Sequence, residues 1–409
     1  MYVTIGIFLV TYAAIAIGRV PGFRVDRTGA ALLGAIALLV FEKITPEAAW
    51  TAVDFPTIAL LFGLMIVSTS FAVSGFYDWV AHRATSMKLG PRALLAVMIG
   101  TSAVLSSILT NDVVVVAMVP LIMQLTLARR LNPVPFLLGF CFAANAGSAG
   151  TIIGSPQNMI IAQGMNLSFT GFMKAAAIPS ILSLLPIWGV LCLIYRRRWD
   201  VPAPGGTAPA GVAPVPLNVL ETAKATVVTV LVIAAFMLTS WPRELIALGA
   251  GAVLLVNRTI ASGDMLKHVD GNLFILLGGL FVVNAALATT GLPQRVLTEL
   301  QGLGLDLQNP LALFLMIGAL SDIVGNNPAA LLVVPYVQAD NGELAGVAMA
   351  LGTGFASNII VFGSLAGIIV VQSAEQHGLS ISLAEYSRAG IPVTVLSMLI
   401  GAGWLLLLA

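Results

Sequence analysis

Apolar runs of membrane-spanning length alternate along this chain with short polar interruptions. A bilayer is crossed by about 17–25 apolar residues in a helix. Such runs predict spans at Tyr2–Gly18, Thr28–Phe41 with its flanks, Pro56–Val80, Phe136–Gln163 and Met173–Tyr195. Between the third and fourth lies Ala93–Leu127, broken at Thr110-Asn111-Asp112, with arms only just long enough for part of a bilayer. It reads as a re-entrant helical hairpin; the alternative is two ordinary spans with a polar turn. The fourth span is itself broken, at Gly154-Ser155-Pro156-Gln157-Asn158. Backbone freed in hydrocarbon is costly, so such a break is tolerated only inside protein or against a polar cavity.

The pattern then returns. After Arg196-Arg197-Arg198, the stretch Val201–Leu217 is rich in Pro, Gly and Ala and reads as an extended linker. Beyond it come Leu220–Leu238, Leu245–Val256, Asn272–Thr290, a hairpin Leu311–Val337, a broken span Ala345–Val371 and Ala389–Leu408. Residue pairs keep register between the halves. Arg27 and Arg243, and Asp54 and Asp270, are each 216 residues apart. Val119-Pro120 and Val334-Pro335 are 215 apart, which lays Asn111 on Asn326. Gly154-Ser155 and Gly363-Ser364 are 209 apart, which lays Ser148 on Ser357. Five spans per half is an odd number, so the second half enters the membrane inverted. The predicted fold is an all-α polytopic membrane protein of two inverted-topology repeats, each with five transmembrane helices and one re-entrant hairpin. Its parts are residues 1–198, a linker over 199–218, and 219–409.

Composition narrows the class. The chain is 58% hydrophobic and 9% charged, against roughly 25% charged in globular domains, so most of it lies in lipid. A net charge of +1 excludes an electrostatic nucleic-acid binder. Cys141 and Cys192 sit in apolar runs, and His82, His268 and His377 are scattered, so neither a metal set nor a resident cofactor is expected. Basic residues orient the chain. With both termini outside and the linker cytoplasmic, fifteen of the 19 basic residues face inward. Two full spans in place of the first hairpin would satisfy the same charges. A multi-pass protein of the cell's inner (plasma) membrane is expected, with Met1–Gly18 retained as its first span.

The polar interruptions carry the candidate chemistry. Thr110, Asn111 and Asp112 at one tip, and Asn326 and Asn327 at the other, converge where half-helices offer free N–H and C=O groups. Paired interrupted segments point to a substrate site. Gly154, Ser155 and Asn158 flank Pro156, which cannot donate and strips upstream carbonyls of partners; Gly363 and Ser364 are their counterparts. Asn145, Ser148, Ser357 and Asn358 lie on the same spans, where helix packing explains them equally well. Asp112 and Asp322 are the acids expected deep in the membrane, hence candidate proton carriers. Cys141 reads as apolar filler. With no Lys or Arg in either hairpin or break, a neutral polyol or an exchanged cation fits more easily than a dianion.

The motifs LTNDVVVVAMVP at Leu109–Pro120, NAGSAGTIIGSPQNMIIA at Asn145–Ala162, VGNNPAALLVVP at Val324–Pro335 and the Gly363–Tyr386 segment resemble the ion transporter superfamily. The Asn111-Asp112 tip is similar to its arsenite/antimonite efflux permease branch, and the superfamily also holds divalent-anion/sodium symporters. The Ser-Asn-Thr tips of sodium-coupled dicarboxylate symporters are absent. The resemblance implies an elevator-type carrier, usually a homodimer, with scaffold 1–89 and 219–307 and moving parts 90–198 and 308–409. It implies proton-coupled efflux of arsenite or antimonite, with a cytosolic ATPase subunit as an optional partner, since the chain has no P-loop. The alternatives are sodium-coupled symport of a carboxylate or sulfate, and sodium–proton exchange. Partners are therefore membrane lipid, a small inorganic solute and H+ or Na+. The topology predicts that cysteines placed at Arg129 and Asp340 label from opposite membrane faces; labelling from one face would refute it.

Overall fold

The chain is described by a computed structural model over residues 1–18, 20, 22–200, 215–302, 304–337, 342–376 and 378–408. Arg19, most of the expected linker (201–214), Asp340 and His377 lie outside the described residues. The first half runs α1 (Tyr2–Ile17), α2 (Arg27–Val40), a short α3 (Pro46–Ala52), α4 (Phe55–Val73) and α5 (Phe76–Ser86). The hairpin α6 (Pro91–Ile108) and α7 (Asn111–Ala128) follows, then the broken span α8 (Pro133–Ser148) and α9 (Pro156–Gly164), then α10 (Phe169–Leu182) and α11 (Leu184–Ile194). The second half runs α12 (Val219–Leu238), α13 (Arg243–Leu255), a short α14 (Ser262–Leu266), α15 (Gly271–Ala288) and α16 (Leu292–Gly302). Then come the hairpin α17 (Pro310–Val324) and α18 (Asn326–Val333), the broken span α19 (Gly342–Ala356) and α20 (Leu365–Gln376), and α21 (Leu383–Leu408). Among the described residues there is no sheet, only an isolated bridge between Leu131 and Asp200.

Local chemistry starts these helices. Asp26 caps α2 by accepting from Gly29 N at 2.8 Å, and Asp270 caps α15 by accepting from Asn272 N and Leu273 N. Proline sits in the first turn of α6, α8, α9 and α17, where its missing N–H costs nothing. The interior is apolar, and so is much of the outside: Leu9, Val10, Val40, Leu231, Leu399 and Leu407 are exposed. An apolar surface suits lipid. Seven helical segments among the described residues are long and apolar enough to cross a membrane.

The structure differs from the sequence expectation in three places. The third span ends at Val73 rather than Val80, because Gly75 takes a left-handed turn (φ 76°) and α5 restarts beyond it. Met173–Tyr195 is two abutting helices that meet at Ser183. The arms of the first hairpin are longer than anticipated, at 18 residues each, or about 27 Å of a ~30 Å hydrocarbon core. Pro91 starts α6 early, and α7 runs through Pro120 to Ala128. The tip between them is nonetheless buried: Thr110 is 1% and Asn111 4% exposed.

Contacts between elements exchange when the halves are exchanged. α4 packs on α13 and α15 on α2; α6 packs on α8 and α17 on α19; α9 packs on α18 and α20 on α7. The tightest seams carry small residues at matched register. A Cβ on Gly63 would collide with the backbone of Ala247, and one on Gly279 would lie 2.8 Å from the carbonyl carbon of Ala31. Gly63 and Gly279 are 216 residues apart, as are Ala31 and Ala247. Without a hydrophobic drive between helices in lipid, close backbone approach of this kind holds them together. Gly63→Val and Gly279→Val should each destabilise the folded protein by about 1–3 kcal/mol or more, read as early thermal aggregation in detergent. Gly249→Val, with open space around it, should behave as wild type.

Candidate functional site

The first tip is held by the neighbouring helices. Thr110 N donates to Ser68 Oγ of α4 at 2.8 Å, and Asn111 N donates to the Gly154 carbonyl at 2.9 Å. Tip and break are thus one unit. The carbonyls freed where α8 ends at Ser148 find a partner in Asn158, whose Nδ2 donates to Ser148 O (2.9 Å) and Thr151 O (2.8 Å). Thr151 Oγ1 in turn donates to Ser107 O at 2.6 Å and accepts from Gly154 N. Asn158 is fully buried.

The second tip repeats the plan with different details. Gly325 takes φ 94°, which only glycine adopts readily, and this folds α18 back on α17. Asn326 Nδ2 donates to Ser357 Oγ at 2.8 Å; its counterpart, Asn111 Nδ2 to Ser148 Oγ, spans 3.5 Å. A Cβ on Gly154 or Gly363 would press on the backbone of Ser148 or Ser357 respectively, so each break packs on its own serine. Asn145 joins the halves: its Nδ2 donates to Asn358 Oδ1 (2.9 Å) and to Ser364 Oγ (3.1 Å).

Both tips open on one cavity of about 750 Å³. Asn111, Asp112, Asn326, Asn327, Gly363 and Ser364 line it. Thr110, Gly154, Ser155 and Asn158 stand behind the wall, as do Asn145, Ser148, Ser357 and Asn358. Asp322 lies outside the lining, and its Oδ1, buried without a hydrogen-bond partner among the described residues, faces Gly363. Buried oxygens without partners also occur on Asn111, Ser155, Asn158 and Asn327. Unpaired acceptors at this density give the site a capacity for a cation or a hydroxyl-bearing solute that the protein alone does not fill. No set of three or more His, Cys, Asp or Glu residues among those described is placed to hold a metal.

Other residues reach the cavity from elsewhere in the chain. Asp26, Arg27, Thr28, Gln157, Asp270, Asn272 and Gln372 also line it. The absence of Lys and Arg from the hairpins and breaks therefore does not leave the site without a cation. Arg27, at the start of α2, donates from Nη2 to the Phe362 carbonyl beside the second break at 3.2 Å. Its repeat register with Arg243, and the register of Asp270 with Asp54, are the sequence signals that single these positions out. Among the described residues, the walls hold three carboxyl groups (Asp26, Asp112 and Asp270) and one guanidinium. Cys141 lies away from the cavity, its Sγ 3.7 Å from the Tyr386 hydroxyl, with both side chains fully buried.

Comparison with known proteins agrees with this architecture. The YdaH transporter of Alcanivorax borkumensis superposes with a TM-score of 0.55 at 13% identity, covering 99% of this chain and 97% of that one; the likeness is one of fold. A 46 kDa membrane protein of Mycobacterium leprae is 29% identical over 97% of this chain and 96% of its own length. An uncharacterized transporter of Mycobacterium tuberculosis is 29% identical over 98% and 97%. A silicon efflux transporter of rice (Oryza sativa subsp. japonica) is 32% identical over 44% of this chain and 37% of its own length. The profile of the citrate transporter family CitMHS matches residues 12–354. A transporter fold, paired broken spans meeting at one cavity and a match over most of the chain lead to one assignment: this chain belongs to the CitMHS citrate transporter family of membrane transporters.

Proposed function

We propose that this chain is an elevator-type secondary carrier that exports a small uncharged metalloid hydroxide, arsenite or antimonite, against proton entry. The observation that carries the reading is the cavity wall. Amides and hydroxyls of Asn111, Asn326, Asn327, Gln157 and Ser364 supply paired donors and acceptors, while among the described lining residues carboxyl groups outnumber the guanidinium three to one. A neutral trihydroxide is held by such groups at no cost in charge. A polyanion entering alone meets an excess of carboxylates. The rice relative bears the name of a silicon efflux transporter, and silicon's hydroxide is likewise a neutral polyol at neutral pH.

In this reading the halves are inverted repeats. Residues 1–89 and 219–307 form the scaffold, and 90–198 and 308–409 move against it; the seams at Gly63 and Gly279 support a scaffold that stays together. The tips and breaks form the solute site, with Asp112 as proton carrier and Asp322 as a second acid. The carrier sits in the plasma membrane with its termini outside and its linker cytoplasmic, as a homodimer. An ATPase subunit is not required by a pH-driven cycle. A second reading has its own support: the family bears the name of citrate, and Arg27 in the cavity offers an anion one charged contact. That reading is cation-coupled carboxylate transport, with sodium or protons offsetting the acids.

Flux into proteoliposomes separates the two, with arsenite and citrate each offered under a pH gradient or a sodium gradient. Arsenite flux driven by pH, without citrate flux, supports the first reading; citrate flux alone overturns it. Asn111→Ala and Asn326→Ala should each cut flux by at least about tenfold, the scale of one lost buried hydrogen bond to solute, with normal amounts of folded protein. Full activity in both would make the tips helix caps only. Asp112→Asn keeps the shape of the tip and removes the titratable group. It should abolish gradient-driven flux while solute binding survives; unchanged driven flux would move the coupling role to Asp322 or away from any protein acid.

A further inference from the structure

A second cavity, of about 560 Å³, lies away from both tips. Its wall includes Asp54, Gln163, Arg243 and Glu244. Three of these are the register partners of residues in the tip cavity: Asp54 of Asp270, Arg243 of Arg27 and Glu244 of Thr28, each 216 apart. The two cavities are therefore repeats of one vestibule. One reaches the tips and the other does not.

The arginines differ in what they hold. Arg27 donates to Phe362 O, inside the second break, in an exposed contact of 3.2 Å. Arg243 donates from Nη2 to Leu167 O, beyond the end of α9, in a part-buried contact. Beside it Gln163 Nε2 donates to Glu244 Oε2 at 3.3 Å. Leu167 and Phe362 are not register partners. Phe362 precedes Gly363 as Ile153 precedes Gly154, and the two glycines pack alike on Ser357 and Ser148. Leu167 corresponds to Leu379. Leu167 N donates to Ala162 O and Leu379 N to Ala374 O, and the preceding residues, Asn166 (φ 53°) and Gly378 (φ 79°), both turn left-handed.

From this asymmetry we infer that Arg27 and Arg243 are paired latches whose partners exchange when the carrier turns over. The inference rests on the inverted-repeat carrier proposed above. In the state described, Arg243 grips a helix end and its vestibule stops short of the tips, while Arg27 rests on a break beside the vestibule that reaches them. In the opposite state Arg27 grips Leu379 O and Glu375, 212 residues after Gln163 as Leu379 is after Leu167, meets Thr28, the register partner of Glu244; Arg243 moves to Ile153 O. The shift between the two contacts is about one α9 or α20 in length. These helices have nine and twelve residues, or about 14–18 Å.

The test reads conformation and needs no substrate. In a Cys141→Ala/Cys192→Ala background, E244C/Q163C reports the described state and T28C/E375C the opposite one, through a short bifunctional thiol reagent in membranes. Both pairs should cross-link. Arg243→Gln removes the better buried grip, so it should shift the ratio of the two products by about tenfold toward T28C/E375C; Arg27→Gln should shift it the other way. Failure of T28C/E375C to cross-link while E244C/Q163C does would overturn the exchange of partners. Cross-linking of both pairs with a ratio indifferent to either arginine would overturn the latch and leave the alternation standing. A wrong assignment of solute changes neither product, so that failure stays separate.

Discussion

Backbone polar groups that leave a helix inside a bilayer must be satisfied by protein, and the site depends on that constraint. Pro156 opens α8–α9, and Asn158 closes the account by spanning Ser148 O and Thr151 O. Gly154 then has a carbonyl to spare for Asn111 N, and Ser68 takes Thr110 N. The first tip is thus pinned between a broken span and the helix α4. Its amide and carboxyl side chains face the cavity because their backbone is already occupied elsewhere.

The same economy shapes the larger structure. Gly63 on Ala247 and Gly279 on Ala31 bring α4, α13, α15 and α2 close enough to act as one body. The tip and the broken spans hydrogen-bond to that body through Ser68 to Thr110, Arg27 to Phe362, Arg243 to Leu167 and Gln163 to Glu244. A handful of hydrogen bonds between two well-packed units can be traded for others at small cost in free energy.

Much of this was legible in the sequence. Span positions, both breaks, both tips and the register between halves follow from apolar length and polar interruption, which are local properties. What a side chain does after the chain folds is not local. Asn158 reads as a solute ligand because it stands beside a proline, yet its reach across the break turns it inward. Arg27 reads as one of the basic residues that orient the chain, yet it begins α2, which lies against α15 and so delivers the guanidinium to a break more than three hundred residues away in the chain. The restart at α5 hangs on one left-handed glycine, Gly75, which hydropathy does not register.

The placement of Cys141 has a kinetic meaning. Its thiol is sealed against Tyr386 in the protein interior, and Cys192 is absent from the cavity lining as well. A thiol-seeking solute crossing this cavity meets only oxygen and nitrogen on the described residues that line it. Such contacts break on the timescale of hydrogen bonds. Release of such a solute from the described lining is then never held up by a sulfur bond.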